Sequence, residues 1–236
     1  MLAKRLCSLQ RGHPTRLPAA SRPLQARRPV VMTAAASQKR PIVLLDIMDT
    51  VCKDPFFQAM PAHFGMSFKE LLAAKHPTAW VDFECNRISE EHLCRIFFKD
   101  GRPVDRGALR AMMHSTYQYL EGMEPLLARL AGSGYELHAL SNYPCWFEII
   151  EDKLQLSRYL SWTYLSCTGP MEGLRKPDPQ AFSRVLDHLG VPPDQAIFVD
   201  DRQSNVDAAA ALGMPSLLFK DANNLQAQLQ ERGLEF

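Results

Sequence analysis

The chain has 236 residues, of which 46% are hydrophobic and 22% are charged, and its formal net charge at pH 7 is +1. This length is enough to bury one full α/β core and to carry a small accessory domain. No apolar run approaches the roughly 20 residues of a membrane span, and the six cysteines show neither a metal-ligand spacing nor a disulfide framework. We therefore expect a soluble protein with reduced thiols and no membrane partner.

The first 37 residues differ in composition from the rest of the chain. They contain seven Lys and Arg residues, and no acidic residue precedes Asp46. This composition is typical of an organellar transit peptide, and we expect import into the chloroplast, with the mitochondrion as the alternative. A basic arm that binds nucleic acid is a second interpretation. Removal of the segment would change the formal net charge from +1 to −6, and nucleic-acid binding needs clustered Lys and Arg, so we expect no such partner for the remaining domain.

The next part of the chain predicts one strand followed by helices. Ile42–Leu45 is a short apolar run that ends at Asp46, as expected of a buried parallel strand. From about residue 55 to 120, apolar residues recur at three- and four-residue spacing, which predicts helices. The expected helices are 58–64, 68–74, 80–86, 90–98 and 108–119. This segment is expected to be an inserted helical domain.

After residue 120, strand and helix patterns alternate. The predicted strands are 135–140, 162–165, 196–199 and 216–219, and the predicted helices are 124–131, 146–154, 179–189, 204–212 and one that begins at Asn223. Such alternation predicts an α/β fold, a Rossmann-like doubly wound parallel sheet with helices on both faces. The chain would then divide into the segment 1–37, a core of residues 38–54 and 121–236, and a helical cap of residues 55–120.

Acidic side chains follow two of the predicted strands. Asp46 comes directly after the first strand, and Asp200 and Asp201 come after strand 196–199. The carboxyl ends of parallel strands meet at the edge where open α/β sheets bind ligands. Three carboxylates at this edge would repel one another without a cation between them, and oxygen ligands alone suit Mg²⁺. The sequence therefore predicts a magnesium and phosphate site.

The order of four short fragments resembles the haloacid dehalogenase superfamily of phosphohydrolases, over about residues 40 to 225. The helical insertion resembles the first type of cap domain in that superfamily. Further runs, among them 54–56, 75–77 and 141–144, are similar to plant chloroplast flavin mononucleotide (FMN) hydrolases, which implies hydrolysis of FMN to riboflavin and phosphate. The four fragments are Asp46-Ile47-Met48-Asp49-Thr50, Ser141-Asn142, Lys176-Pro177-Asp178 and Asp200-Asp201.

The resemblance implies a catalytic role for the first three fragments. Asp46 would attack phosphorus and form an aspartyl-phosphate. Ser141 and Asn142 would bind the phosphoryl group, and Lys176 would balance the negative charge of the nucleophile and of the transition state. Each fragment taken alone is as compatible with a turn or a helix cap, but together and in this order they predict an active site.

The resemblance also implies the ligands of the metal. Mg²⁺ would be held by the side chains of Asp46 and Asp201 and by the backbone carbonyl of Met48. Asp200 would act mainly through a metal-bound water.

One position departs from the superfamily pattern. Members that hydrolyse phosphate esters usually carry a second aspartate two residues after the nucleophile, which protonates the leaving oxygen and then activates water. Here Met48 occupies that position, and Thr50 fixes the register. Loss of a general acid costs on the order of 10² to 10⁴ in rate. Asp49 is a candidate for part of this acid–base function, and the alternative is an aspartate that bonds the backbone of a turn.

Substrate choice is expected to lie in the cap. The rings of Phe56 and Trp80 could stack on a flat isoalloxazine, at about 0.5 to 1.5 kcal/mol for each stack. The alternative is that these rings pack inside the helical bundle, as aromatic residues at helical spacing commonly do.

The sequence is therefore compatible with two functions of different classes. The first is a Mg²⁺-dependent phosphatase, for which FMN is the expected substrate and another small phosphate monoester the alternative. The second is a catalytically weakened member that binds a phosphorylated ligand or a protein partner. Met48 favours the second, and the nucleophile Asp46 favours the first, because a binding protein has no need of one. A dehalogenase is a weaker third reading, because those enzymes work without metal. The sequence predicts no oligomeric state.

Overall fold

A parallel sheet forms the centre of the computed structural model, which describes residues 40 to 236. Its neighbouring strands are all parallel, and the order is β3-β2-β1-β4-β5. Every residue of β1, β2 and β4 is buried, as expected of strands that are covered on both faces. Each predicted strand is present within two residues of its expected ends. The strands are β1 (Ile42–Leu45), β2 (Leu137–Ser141), β3 (Ser161–Leu165), β4 (Ala196–Asp200) and β5 (Ser216–Leu218).

The segment after β1 contains five helices. Helix α2 has the predicted bounds because Ser67 and Glu70 form a capping box, in which each side chain accepts a hydrogen bond from the backbone of the other. The described residues belong to one compact unit, and the division into core and cap stays a prediction. The five helices are α1 (Ala59–His63), α2 (Phe68–Ala74), α3 (Ala79–Glu84), α4 (Glu90–Ile96) and α5 (Arg106–Thr116).

The two chain segments that flank these helices pair with each other. The N–H of Lys53 donates to the carbonyl of Gln118 (3.0 Å), and the N–H of Leu120 donates to the carbonyl of Val51 (3.0 Å). This antiparallel linker ribbon consists of residues 51–53 and 118–120. The predicted helix 108–119 ends earlier, at Thr116, because the residues after it use their backbone groups in the ribbon.

Five more helices cover the two faces of the sheet. Val43 and Leu45 of β1 lie in one apolar cluster with α6, α7 and α10, whereas Ile42 and Leu44 lie in the other with α8 and α9. Alternate residues of a strand point to opposite faces, so both faces of β1 are covered by helices. The predicted doubly wound α/β fold is confirmed. The helices are α6 (Met123–Gly132), α7 (Phe147–Leu154), α8 (Pro179–Leu189), α9 (Gln203–Ala211) and α10 (Ala222–Glu231).

The predicted transit peptide, residues 1–37, lies outside the described residues. Between residues 40 and 236, no helix combines the length and the apolar character that a membrane crossing requires. The five cysteines of this range are free thiols.

Candidate active site

The predicted catalytic side chains meet at the carboxyl edge of the sheet. Asp46 follows β1, and its backbone N–H donates to the carbonyl of Val199 in the neighbouring β4 (2.9 Å). Asp200 is the last residue of β4, and Ser141 is the last residue of β2 on the other side of β1. The strand order reverses at β1, where open α/β sheets form their ligand crevice.

Lys176 lies between two carboxylates in the interior. Its Nζ is 2.7 Å from Oδ1 of Asp46 and 2.6 Å from Oδ2 of Asp200. Lys176 is 3% exposed and Asp200 is fully buried. Burial by itself disfavours the ammonium, but the charges of Asp46 and Asp200 outweigh it and raise the pKa of Lys176. The ammonium is therefore the cation that makes a buried pair of carboxylates tolerable.

Asp200 is oriented by the start of the following helix. Its Oδ1 accepts hydrogen bonds from the backbone N–H of Arg202 and from Nδ2 of Asn205, both at 2.9 Å. Asn205 is buried in the first turn of α9. Asn205 is not among the predicted site residues. Its signal is an amide side chain five residues after Asp200, where the first turn of a helix after a strand faces back toward the strand end.

Asn142 orients the backbone that carries Lys176. Its Nδ2 donates to the carbonyl of Lys176 and its Oδ1 accepts the N–H of Lys176, both at 2.8 Å. This reciprocal pair joins the end of β2 to the Lys176 segment. Its neighbour Ser141 is buried at the strand end.

Three carboxylates at this edge form a cluster that could hold a metal ion. One oxygen from each of Asp46, Asp200 and Asp201 lies within 4.8 Å of the others. Burial, followed by the charges of Asp46 and Asp200, raises the pKa of Asp201 to about 7. Burial is also the largest cause that raises the pKa of Asp46. A single ammonium does not neutralise three carboxylates, and an oxygen-only donor set with excess negative charge fits Mg²⁺.

A cavity of about 340 Å³ opens beside Asp46. The helical segment supplies part of its lining, including Trp80 and Glu84. Trp80 donates from Nε1 to Oε1 of Glu84. Nη2 of Arg175 lies 2.7 Å from Oε2 of the same Glu84, so this carboxylate joins α3 to the residue before Lys176. The ring of Trp80 also packs edge-on against Trp146, at 5.7 Å between centroids.

The structure brings most of the predicted site residues together around this cavity. Asp200 and Asp201 adjoin the cavity through their cluster with Asp46. The predicted residues that line the cavity are Asp46, Met48, Phe56, Trp80, Ser141, Asn142 and Lys176. The lining residues that the sequence analysis did not assign to the site are Asp54, Leu72, Lys75, Glu84, Tyr143, Arg175, Arg202 and Asn205.

Asp49 is outside the set of described residues that line the cavity. It adopts a left-handed backbone conformation with φ of 54°. Its Oδ1 accepts the backbone N–H of Asp54 (2.9 Å), as an aspartate in a turn does. Its acid–base role stays a prediction.

Two known proteins are similar to this chain in sequence. Flavin mononucleotide hydrolase 1 of Arabidopsis thaliana, a chloroplast protein by name, is 50% identical over 197 residues, which cover 84% of this chain and 79% of that protein. The sesquiterpene phosphatase astK of Aspergillus oryzae is 27% identical over 167 residues, which cover 66% of this chain and 80% of that protein.

Solved structures share the fold at low sequence identity. A haloacid dehalogenase family enzyme from Bacteroides thetaiotaomicron superimposes with a TM-score of 0.62 at 18% identity, covering 80% of this chain and 98% of that one. The wild-type form of that enzyme, solved in complex with magnesium and inorganic phosphate, gives 0.59 at 19% identity, covering 77% and 95%. The model of the haloacid dehalogenase-like hydrolase family matches residues 42–213. The chain belongs to the haloacid dehalogenase-like hydrolase family.

Proposed function

We propose that this hydrolase is a Mg²⁺-dependent phosphatase that converts FMN to riboflavin and phosphate through an aspartyl-phosphate on Asp46. The observation that carries the proposal is the arrangement of Asp46 beside Lys176 and the carboxylate cluster, at a cavity that is also lined by Phe56 and Trp80. The FMN hydrolase of Arabidopsis, at 50% identity, supports the choice of substrate.

Four side chains at this edge of the sheet have separate roles in the first step. An oxygen of Asp46 attacks phosphorus, and the bond between phosphorus and the ester oxygen breaks. Lys176, 2.7 Å from Asp46, balances the charge that develops on the phosphoryl oxygens. Ser141 donates its hydroxyl to one of these oxygens. Asn142 keeps Lys176 in place through its backbone.

The carboxylate cluster is the proposed metal site. The side chains of Asp46 and Asp201 and the backbone carbonyl of Met48 would hold Mg²⁺, with Asp200 interacting through water. When bound, the ion supplies positive charge that neutralises the phosphoryl group and the nucleophile. The N–H of Arg202 and the amide of Asn205 fix the orientation of the Asp200 carboxylate, as partners of a residue beside a metal site do.

The apolar residues of the cavity suit a flat aromatic group. Phe56, Leu72 and Trp80 line the cavity, and Lys75 adds a cation. A volume of about 340 Å³ falls in the range typical of small-molecule sites. We assign stacking of the isoalloxazine to Trp80 and Phe56, with the phosphate directed toward Asp46.

The proposed location is the chloroplast. The basic segment 1–37 and the chloroplast name of the Arabidopsis relative support import. A fluorescent fusion of residues 1–45 is expected to enter chloroplasts, and a cytosolic fusion would contradict the proposal.

The second candidate is a protein that binds a phosphorylated ligand without turnover. Met48 favours it, because a thioether cannot serve as the acid at this position. The FMN hydrolase relative and the intact Asp46–Lys176 pair favour the enzyme.

A substrate panel tests the proposal. Phosphate release would be measured from FMN, several sugar phosphates and p-nitrophenyl phosphate, with Mg²⁺ and with EDTA. We expect Mg²⁺-dependent release with the highest kcat/KM for FMN. Preference for a sugar phosphate would refute the assignment of FMN. If no substrate of the panel releases phosphate but FMN still binds, the result would favour the binding protein.

A further inference from the structure

The cavity contains a carboxyl group that the mechanism above does not use. Asp54 lines the same cavity as Asp46 and Met48. Met48 stands where related phosphatases carry their acid–base aspartate, and its side chain has no proton to give. Asp54 therefore brings an ionisable carboxyl to a cavity that lacks one at position 48.

Backbone contacts hold Asp54 in place on both sides. Its N–H donates to Oδ1 of Asp49 (2.9 Å), and its own Oδ1 accepts the N–H of Phe56 (2.9 Å). The residue before it, Lys53, belongs to the linker ribbon. Because the chain is anchored on either side, the carboxyl keeps a defined position, as proton transfer requires.

The surroundings of Asp54 favour its protonated form. Burial is the largest cause, and the charges of Asp49 and Asp46 add to it; the N–H of Phe56 and the charge of Arg202 oppose it, and the pKa of Asp54 is raised to about 6. A carboxyl with that pKa is protonated in about one molecule in ten at pH 7, against roughly one in a thousand for an ordinary aspartate. Three further titratable side chains near Asp54 are neutral at pH 7, because burial raises their pKa values: Cys52, Tyr117 and Tyr143.

We propose that Asp54 is the general acid and base of this enzyme, in place of the aspartate that Met48 replaces. The inference rests on the proposed phosphatase function and deepens it. Asp49 is then a positioning residue, because its carboxylate already accepts the N–H of Asp54.

Asp54 gives a proton in the first half-reaction and takes one back in the second. In the first, an oxygen of Asp46 bonds to phosphorus, the ester bond breaks, and the carboxyl of Asp54 gives its proton to the leaving oxygen, which departs as an alcohol. In the second, water attacks the aspartyl-phosphate and the carboxylate of Asp54 takes a proton from it. The bond between Asp46 and phosphorus breaks, which releases inorganic phosphate and restores both side chains.

The test compares leaving groups in the Asp54→Asn variant. Asparagine keeps an oxygen to accept the N–H of Phe56 but has no acid proton and is no base. Riboflavin leaves FMN as a poor alkoxide that needs a proton, whereas p-nitrophenolate leaves p-nitrophenyl phosphate without one. Rapid-quench kinetics would follow the hydrolysis of both substrates. Asp187→Asn, at an exposed position, is the matched control, and Asp49→Asn tests the competing hypothesis that Asp49 is the acid and base.

For Asp54→Asn we expect turnover of FMN to fall by about 10² or more. With p-nitrophenyl phosphate, the first turnover persists as a burst of one equivalent of p-nitrophenolate, followed by slow hydrolysis of the phosphorylated enzyme. Asp187→Asn is expected to match the wild type, and melting temperatures check folding.

Several outcomes would overturn the inference. FMN turnover by Asp54→Asn within about threefold of the wild type would exclude an acid–base role. If Asp54→Asn loses the p-nitrophenolate burst by the same factor as it loses FMN turnover, the role of Asp54 is structural. If FMN turnover falls while the p-nitrophenolate burst persists in Asp49→Asn but not in Asp54→Asn, Asp49 is the acid and base instead. If the wild type prefers another alkyl phosphate, FMN as substrate fails, and the same comparison on that ester still decides on Asp54. If the wild type hydrolyses no phosphate ester, both the proposed phosphatase function and the role of Asp54 are overturned.

Discussion

Replacement of Lys176 is expected to expose how the active site is held together. Lys176→Met would keep a long side chain but remove the only ammonium within hydrogen-bonding distance of Asp46 and Asp200 among the described residues. Removal of one partner from a buried ion pair costs about 3 to 5 kcal/mol, because the remaining charge stays buried. In a unit of this size 1 kcal/mol corresponds to about 2 to 4 °C, so the melting temperature should fall by about 6 to 20 °C.

Urea unfolding in EDTA, followed by circular dichroism, would measure this loss. Lys220→Met is the matched control, because Lys220 is exposed and its replacement should change the free energy of unfolding by less than about 0.5 kcal/mol. Adding Asp46→Asn to Lys176→Met removes one of the stranded carboxylates and should recover part of the loss. A loss below about 1 kcal/mol for Lys176→Met would refute the view that this lysine neutralises the site.

Two further variants test how the site is positioned and how it selects its substrate. Asn142→Ala removes both hydrogen bonds to the backbone of Lys176 and is expected to lower kcat for every ester about 10- to 100-fold through displacement of the ammonium; steady-state kinetics that give an unchanged kcat would contradict this. Trp80→Leu removes a stack worth about 0.5 to 1.5 kcal/mol and should raise KM for FMN about 2- to 12-fold. Its KM for a small sugar phosphate should not change, and an equal rise for both substrates would argue against stacking.

The fold follows from local patterns in the sequence. The buried strands are recognisable as short apolar runs, because a parallel sheet covered on both faces leaves no polar alternation. Helix α8 has its predicted bounds because Asp178 caps it, Pro179 starts it and Gly190 ends it in a left-handed conformation. The predicted end of helix α5 lies three residues beyond the observed end at Thr116, because pairing with a segment more than 60 residues away decides where the helix ends.

Most of the site could be predicted from the strand ends and from the order of the four short fragments, one of which contains Lys176. Asp46 and Asp200 follow apolar runs, and the topology brings such positions together. Asp54 and Arg175 lie in loops and Asn205 lies in helix α9. No local pattern assigned them to the site, because tertiary packing decides that they line the cavity.

Hydrolysis of FMN by the wild type and by Asp46→Asn, each with Mg²⁺ and with EDTA, tests the proposed mechanism most directly. We expect release of riboflavin and phosphate only by the wild type with Mg²⁺, and a folded but inactive variant. Release by Asp46→Asn at the wild-type rate, or release that EDTA does not reduce, would show that the nucleophile or the metal, respectively, does not have the proposed role.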